Sequence, residues 1–232
     1  MIQSLGRRLK LIFYRGPEEV DGELPVDAGT TVLHPMVDFV AYAEDCTLSG
    51  RTRLEADRLT DMLNEHDEVQ LVDVLFQSLA DRASVEVREV VVPRDDLLLV
   101  HATGPRGDMT RRTRTRQTYV SIETGPFGVR GFLHAAPFID AISALGRRGP
   151  MVPLTDAVVD FRIEDEWHRH RVGTLIVNRH AIDRINEATE GEPAFPDPRF
   201  ADLDHDAVVD GAPLPIPAGP GVADAREVRS SS

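Results

Sequence analysis

The chain has little cysteine and no long apolar run. Cys46 is the single cysteine among 232 residues, so no disulfide can form within the chain. This usage is typical of proteins kept in a reducing compartment. No apolar run approaches the roughly 18 residues that a membrane-spanning helix requires. We therefore expect a cytoplasmic protein.

The motifs of common catalytic sites are also missing from the sequence. It contains no glycine-rich phosphate loop of the required spacing, no HExxH and no GxSxG. These absences favour a non-enzymatic protein without a cofactor.

Positive charge is scarce and unevenly placed. Lys and Arg together number 26 against 39 Asp and Glu, which gives a formal net charge of −13. A chain this negative repels polyanions at long range, which argues against general nucleic-acid binding. Yet residues 1–15 contain four basic residues and no acid, and residues 103–117 contain five arginines and one aspartate. The sequence thus predicts two basic segments on an acidic body.

The central feature of the sequence is an internal duplication. Residues 69–73 (VQLVD) correspond to residues 152–156 (VPLTD), and residues 90–97 correspond to residues 175–182. The apolar spacing matches, whereas no reactive set of side chains occurs in both copies. Repeated apolar spacing indicates a repeated fold, with the two copies packed on each other or on copies from another chain.

The apolar patterns within each copy are mostly strand-like, with one short helical interval. They predict a mainly β fold built from two small barrel-like units, each with one inserted helix. The predicted organisation is an N-terminal helix at 1–16, a tether at 17–30, repeat one at 31–102, an Arg-rich linker at 103–117, repeat two at 118–187 and a disordered tail at 188–232.

The first segment has the pattern of a short basic amphipathic helix. Such a helix can lie on an anionic membrane, dock in a partner's groove or cap the protein's own core. The contact residues predicted for a membrane or a partner are Ile2, Leu5, Arg7, Arg8, Leu9, Lys10, Ile12 and Phe13.

The Arg-rich linker is the second candidate contact. Arginines that alternate with threonines lie on one side of an extended chain, where they suit phosphates or carboxylates. The alternative is that they neutralise the acidic body. The predicted anion-binding residues are Arg111, Arg112, Arg114 and Arg116.

Two histidines offer a third possibility. In a strand, His168 and His170 lie on one face, and a nearby carboxylate would complete a zinc site. The alternative is the polar tip of a hairpin. Cys46 has no activating partner in the sequence and is interpreted as a passive thiol.

Two aspartates and two arginines are duplicated with the fold. Asp73 and Asp156 occupy equivalent strand positions, as do Arg94 and Arg179 after the next strand. We expect Asp–Arg bridges that hold the turns, with a twofold binding groove as the functional alternative.

Several of these segments resemble parts of known domains. Leu48–Gly50 and Val90–Leu97, with 129–131 and 175–182 in the second copy, resemble the glycine-bent strand and closing strand pair of Sm-like and SH3-like barrels. A closer resemblance is to an uncharacterised bacterial tandem-repeat domain. That pattern is carried by Gly131, Asp140, 153–156 (PLTD) and 177–179 (VNR), and it implies no known activity.

Together these observations favour a cytoplasmic interaction or scaffolding module. Its expected contacts are a protein partner, an anionic membrane surface reached by the first helix, and further copies of the chain. The alternatives are an Sm-like nucleic-acid or nucleotide-binding module that uses the Arg-rich linker, and a metal-dependent enzyme centred on His168 and His170.

Overall fold

The computed structural model describes residues 34–107, 113–164 and 166–190. The predicted N-terminal helix, the tether and most of the tail lie outside these residues. So do Arg111 and Arg112 of the predicted anion-binding set.

Repeat one forms five strands and one short helix, with a 3-10 turn before the last strand. Its elements are β1 (Met36–Tyr42), β2 (Cys46–Arg53), α1 (Leu59–Glu65), β3 (Glu68–Ser78), β4 (Ser84–Pro93), the turn Arg94–Asp96 and β5 (Leu99–His101).

Repeat two has the same elements in the same order. They are β6 (Arg116–Thr124), β7 (Phe127–Ala135), α2 (Ala141–Leu145), β8 (Met151–Ile163), β9 (Glu166–Asn178), the turn Arg179–Ala181 and β10 (Arg184–Glu187). The prediction of a mainly β fold is confirmed.

All ten strands join in one open antiparallel sheet, in the order β10-β6-β7-β8-β9-β5-β1-β2-β3-β4. Within each repeat the last strand therefore pairs with the first, and the remaining strands follow in sequence. The strand order is the same in both halves, which is the outcome expected of a duplicated fold. The repeats meet where β5 pairs with β9.

A matching β-bulge bends each half. The buried positions of β3 shift phase at Asp73, from Val69 and Leu71 before it to Val74 and Phe76 after it. Asp73 has a left-handed φ of 52°, and its partner strand shifts register around Gly50. A Cβ on Gly50 would lie 3.0 Å from the carbonyl oxygen of Val72, so the bulge requires a glycine there.

Repeat two reproduces this bulge. Asp156 has a φ of 48°, and a Cβ on the facing Gly131 would lie 3.1 Å from the carbonyl oxygen of Thr155. Aspartate is one of the few side chains that adopt left-handed backbone geometry at low cost. The duplicated Asp and Gly thus belong to the same bulge in each repeat: the Asp adopts the left-handed conformation, and the Gly leaves room for the bulged strand.

Two apolar cores lie along the sheet, and each contains side chains from both repeats. Met151 and Ile176 of repeat two pack in the core of repeat one. Tyr42, Leu79 and Leu99 of repeat one pack in the core of repeat two. The two units therefore share their packing and form one body.

The helices are shorter than the apolar spacing predicts. The spacing predicts a helix over residues 55–65, and residues 138–142 of the second copy are the counterpart of residues 59–63. Only Leu59–Glu65 of the first interval is helical, and α2 begins at Ala141 after Asp140 caps it by accepting from the Ser143 N–H. Phe138 and Ile139 thus precede α2 instead of forming its face. Among the described residues, no helix combines the length and apolarity needed to cross a membrane.

Candidate functional site

The turn between β7 and α2 exposes two apolar side chains. Phe138 is 101% exposed and Ile139 is 47% exposed. The Ile139 N–H donates to the Ala136 carbonyl at 3.1 Å, which closes the turn, and Phe138 has a left-handed φ of 69°. A bulky side chain in this conformation is uncommon and strained. The turn thus combines a strained backbone conformation at Phe138 with full exposure of the Phe138 ring to solvent.

Arginines gather around this turn from separate parts of the chain. Arg116 begins β6 and pairs in register with Ala135 at the end of β7. The preceding Thr115 hydroxyl lies 3.0 Å from Nδ1 of His134. After α2, the guanidinium of Arg148 donates to the carbonyl of the same His134. The Arg-rich linker and the segment after α2 thus meet at the end of β7, from which the exposed turn continues.

We call this surface the basic corner. Its members are exposed or half-exposed, and they come from the linker, the turn and the segment after α2: Arg114, Arg116, Phe138, Ile139 and Arg147. Arg148 lies behind it and is partly buried, which lowers its pKa.

Two aspartates, Asp140 and Asp156, interact electrostatically with basic groups at or beside the corner. The pKa of Asp140 is lowered, first by the hydrogen bond from Ser143 and also by the charge of Arg116. Burial and the charge of Arg148 lower the pKa of His134, while Asp156 opposes them. These segments contribute three exposed arginines and one exposed aspartate, Asp140, so the corner carries net positive charge on an otherwise acidic protein.

The structure describes half of the predicted anion-binding set. Arg114 and Arg116 are exposed, as are the neighbouring Thr113 and Thr115, so that the one-sided arrangement of the arginines stays a prediction. The pairing of Arg116 with Ala135, just before the exposed turn, is new, since 19 positions separate the two residues in sequence. The predicted membrane-contact residues 2–13 lie outside the described residues.

His168 and His170 lie in an aromatic cluster between the repeats. His168 stacks on Phe161 with ring centroids 5.6 Å apart, and His170 contacts the same ring edge-on at 5.1 Å. Nδ1 of His170 lies 3.0 Å from the Tyr42 hydroxyl, and that hydroxyl lies 3.0 Å from Nε2 of His101. Tyr42 is fully buried.

This cluster does not offer a set of metal ligands. The described part of the chain contains no group of three His, Cys, Asp or Glu side chains placed to hold a metal ion. Burial lowers the pKa of His170, and the neighbouring His168 lowers it further. The side chains that contact the two imidazoles are Phe161 and Tyr42.

Cys46 is buried at the start of β2. Burial raises the pKa of its thiol to about 12, and Asp45 adds to the effect. A thiol with this pKa is protonated at neutral pH and is a poor nucleophile.

The expected pairing of Asp73 with Arg94 is wrong. Asp73 pairs with Arg51 on the neighbouring strand, and Arg94 pairs with Asp67 at 2.9 Å and Asp95 at 3.1 Å. The reason is the bulge, which turns Asp73 towards β2. Arg94 and Arg179 remain equivalent, because each begins a 3-10 turn and donates its N–H to the residue just before β3 or β8. The acceptors are the carbonyls of Asp67 and Pro150.

Sequence patterns also miss a buried charge cluster in repeat two. Asp160 is 2% exposed and accepts from Arg130 at 3.0 Å and from Nε of Arg169 at 2.6 Å. The register equivalents of Asp160 and Arg130 in repeat one are Gln77 and Ser49, so duplication gives no signal for it. Carboxylates buried to this extent are found paired or hydrogen-bonded in this way.

Comparisons with protein-family models, with curated proteins and with solved structures found no match.

Proposed function

We propose that the protein is a non-enzymatic interaction module that attaches to anionic membrane surfaces through the basic corner. The observation that supports this most strongly is the fully exposed Phe138 ring, on a turn that follows the strand end where the exposed Arg116 pairs with Ala135. Peripheral membrane proteins combine these features, because apolar side chains enter the acyl boundary while basic side chains pair with anionic headgroups.

The composition of the corner favours lipid over nucleic acid. An aromatic ring could stack on a base, but the adjacent Ile139 has no ring and would gain little from stacking. Both side chains gain from burial in hydrocarbon, about 1.5–3 kcal/mol for a fully buried Phe or Ile. Each arginine near an anionic surface adds about 1 kcal/mol.

The predicted N-terminal helix would supply a second anchor. A single weak anchor gives only reversible attachment, and two linked anchors multiply their affinities. The predicted tether at 17–30 would allow both to reach one surface.

Co-sedimentation with vesicles tests the proposal. Full-length protein should pellet with vesicles containing phosphatidylserine and remain in solution with phosphatidylcholine alone. The double variant Phe138→Ser/Ile139→Ser and the triple variant Arg114→Gln/Arg116→Gln/Arg147→Gln should both weaken pelleting. For the triple variant the loss should reach up to about a hundredfold in low salt.

A matched control separates local contacts from net charge. The variant Arg53→Gln/Arg88→Gln/Arg171→Gln removes the same charge from exposed positions outside the corner and should bind as the wild type does. Equal losses in both triple variants would show that only net charge matters and would refute the assigned surface. Binding to RNA, with no binding to anionic vesicles, would favour the nucleic-acid alternative.

A further inference from the structure

The junction between the repeats shows how one unit docks on another. β5 pairs with β9 through Leu99 with Val177, Val100 with Ile176 and His101 with Leu175. The equivalent strands, β10 and β4, each pair on one side only within the described residues. A further copy of the chain could in principle join there, head to tail, in the same geometry.

The first difference lies in the side chains of the outer edge of repeat two. At the junction, Leu99 lies opposite Tyr42, and both are fully buried. In repeat two these register positions are Arg184 and Glu123, which form a partly exposed ion pair at 3.6 Å. A docking copy would have to cover these charges, whereas the junction covers apolar side chains.

The second difference lies in the backbone of β4. At the junction, the Asn178 N–H donates to the Leu98 carbonyl at 2.9 Å, and the Asn178 side chain donates to the Leu97 carbonyl at 3.1 Å. The equivalent of Asn178 is Pro93, which follows Val92 as Asn178 follows Val177. Proline has no N–H, so neither bond can form at the outer edge.

The third difference is a clash of like charges. At the junction, the Ala102 N–H donates to the Thr174 carbonyl at 2.9 Å. The same register on the outer edges would bring Glu187 opposite Glu89. Like charges directly opposite each other destabilise a strand pair.

The fourth difference is the loss of a helix contact. Asn64 of α1 binds the start of β8, since its amide donates to the Met151 carbonyl at 2.9 Å and accepts from the Met151 N–H at 3.0 Å. Asn64 is the sixth residue after the N-cap of α1, and the sixth residue after the N-cap of α2 is Gly146. Met151 is the first residue of β8, and its equivalent at the start of β3 is Glu68. Glycine has no amide side chain with which to repeat the contact.

We infer that the outer edges of β4 and β10 are closed to further copies of the chain. The two repeats of one chain therefore pair with each other and not with repeats of another chain. The apolar junction is used once, inside the chain. Charges and a proline at the outer edges are the features by which proteins prevent strand-to-strand association.

Sedimentation equilibrium of the full chain tests this inference. The wild type should give the mass of one chain, 25.7 kDa, at all concentrations. A variant that restores junction residues, Pro93→Asn/Glu123→Tyr/Arg184→Leu/Glu187→Ala, should show a mass that rises with concentration to at least twice that value. A wild type that associates, and loses association when Val91→Lys is introduced in β4, would overturn the inference.

Amide hydrogen exchange gives a second readout that does not depend on any variant's folding. The Ala188 N–H donates to β6. Because successive N–H groups of a strand point to opposite sides, the Glu187 N–H points away from β6, towards the open edge of the sheet. In concentrated wild-type protein, the Glu187 amide should exchange rapidly and the equivalent Ala102 amide slowly. Equal protection of both amides would contradict a closed edge.

Discussion

The Tyr42 hydroxyl and Nδ1 of His170 lie 3.0 Å apart across the boundary between the two repeats. The hydroxyl also contacts His101, so it donates its one proton to one ring and accepts from the other. The ring that accepts the hydroxyl proton must be neutral, because a protonated imidazole has no acceptor nitrogen. The boundary therefore contains a polar contact that depends on the protonation state of a histidine.

Acid should weaken the protein through this cluster. Burial, with the neighbouring His170, lowers the pKa of His101 to about 4. An unfolded histidine has a pKa of about 6.5, so between these values only the unfolded chain takes up the proton. Stability is complete above about pH 6.5 and falls as the pH drops towards 4. His101 should account for about 2 kcal/mol between pH 7 and pH 5.

Urea unfolding of the wild type and His101→Asn at both pH values measures this contribution. Asn186 is the natural equivalent of His101 in repeat two. The variant should lose less stability than the wild type on acidification. Identical pH dependence in the two proteins would show that His101 does not titrate as its burial implies.

Asp160→Asn should be strongly destabilising. The substitution removes the negative charge between Arg130 and Arg169 while conserving the shape of the side chain. We expect a loss of about 3 kcal/mol in the free energy of unfolding, because both guanidiniums then lose the buried carboxylate to which they bond. Glu123→Gln breaks the partly exposed pair with Arg184 and should cost less than about 1 kcal/mol. Similar losses in both variants would argue against a special role for Asp160.

The bulge at Asp156 should tolerate asparagine and reject valine. Left-handed geometry costs a β-branched residue about 1–2 kcal/mol, whereas Asn adopts it readily. Asp156→Val should therefore lower the urea midpoint, and Asp156→Asn should stay within about 0.5 kcal/mol of the wild type. If the negative charge mattered more than the backbone, the two variants would be equally destabilised.

The sequence predicts the duplicated fold well because apolar spacing is repeated in it. It also contains a signal for the bulges, since the apolar phase shifts at Asp73 opposite Gly50. Interpreting Asp73 as half of a bridge to Arg94 overlooked that shift. A strand that changes phase at an aspartate, paired with a strand that contains a glycine, indicates a bulge.

The candidate site could be predicted only in part. The arginines of the linker stand out in the sequence, but Phe138 fits the apolar face of a helix and only the observed start of α2 excludes it from that face. The aromatic cluster is harder still, because Tyr42 and His170 are 128 positions apart. A local pattern in the sequence cannot indicate a contact between residues that are so far apart in the chain.

The most direct test of membrane attachment places a fluorophore at Phe138 itself. Trp167 is the single tryptophan, so the variant Phe138→Trp/Trp167→Phe reports from the basic corner alone. On vesicles containing phosphatidylserine, its emission should shift to shorter wavelength and be quenched by brominated acyl chains, with neither change on phosphatidylcholine alone. Emission that stays at the wavelength of a water-exposed tryptophan while the protein pellets with the vesicles would contradict the account.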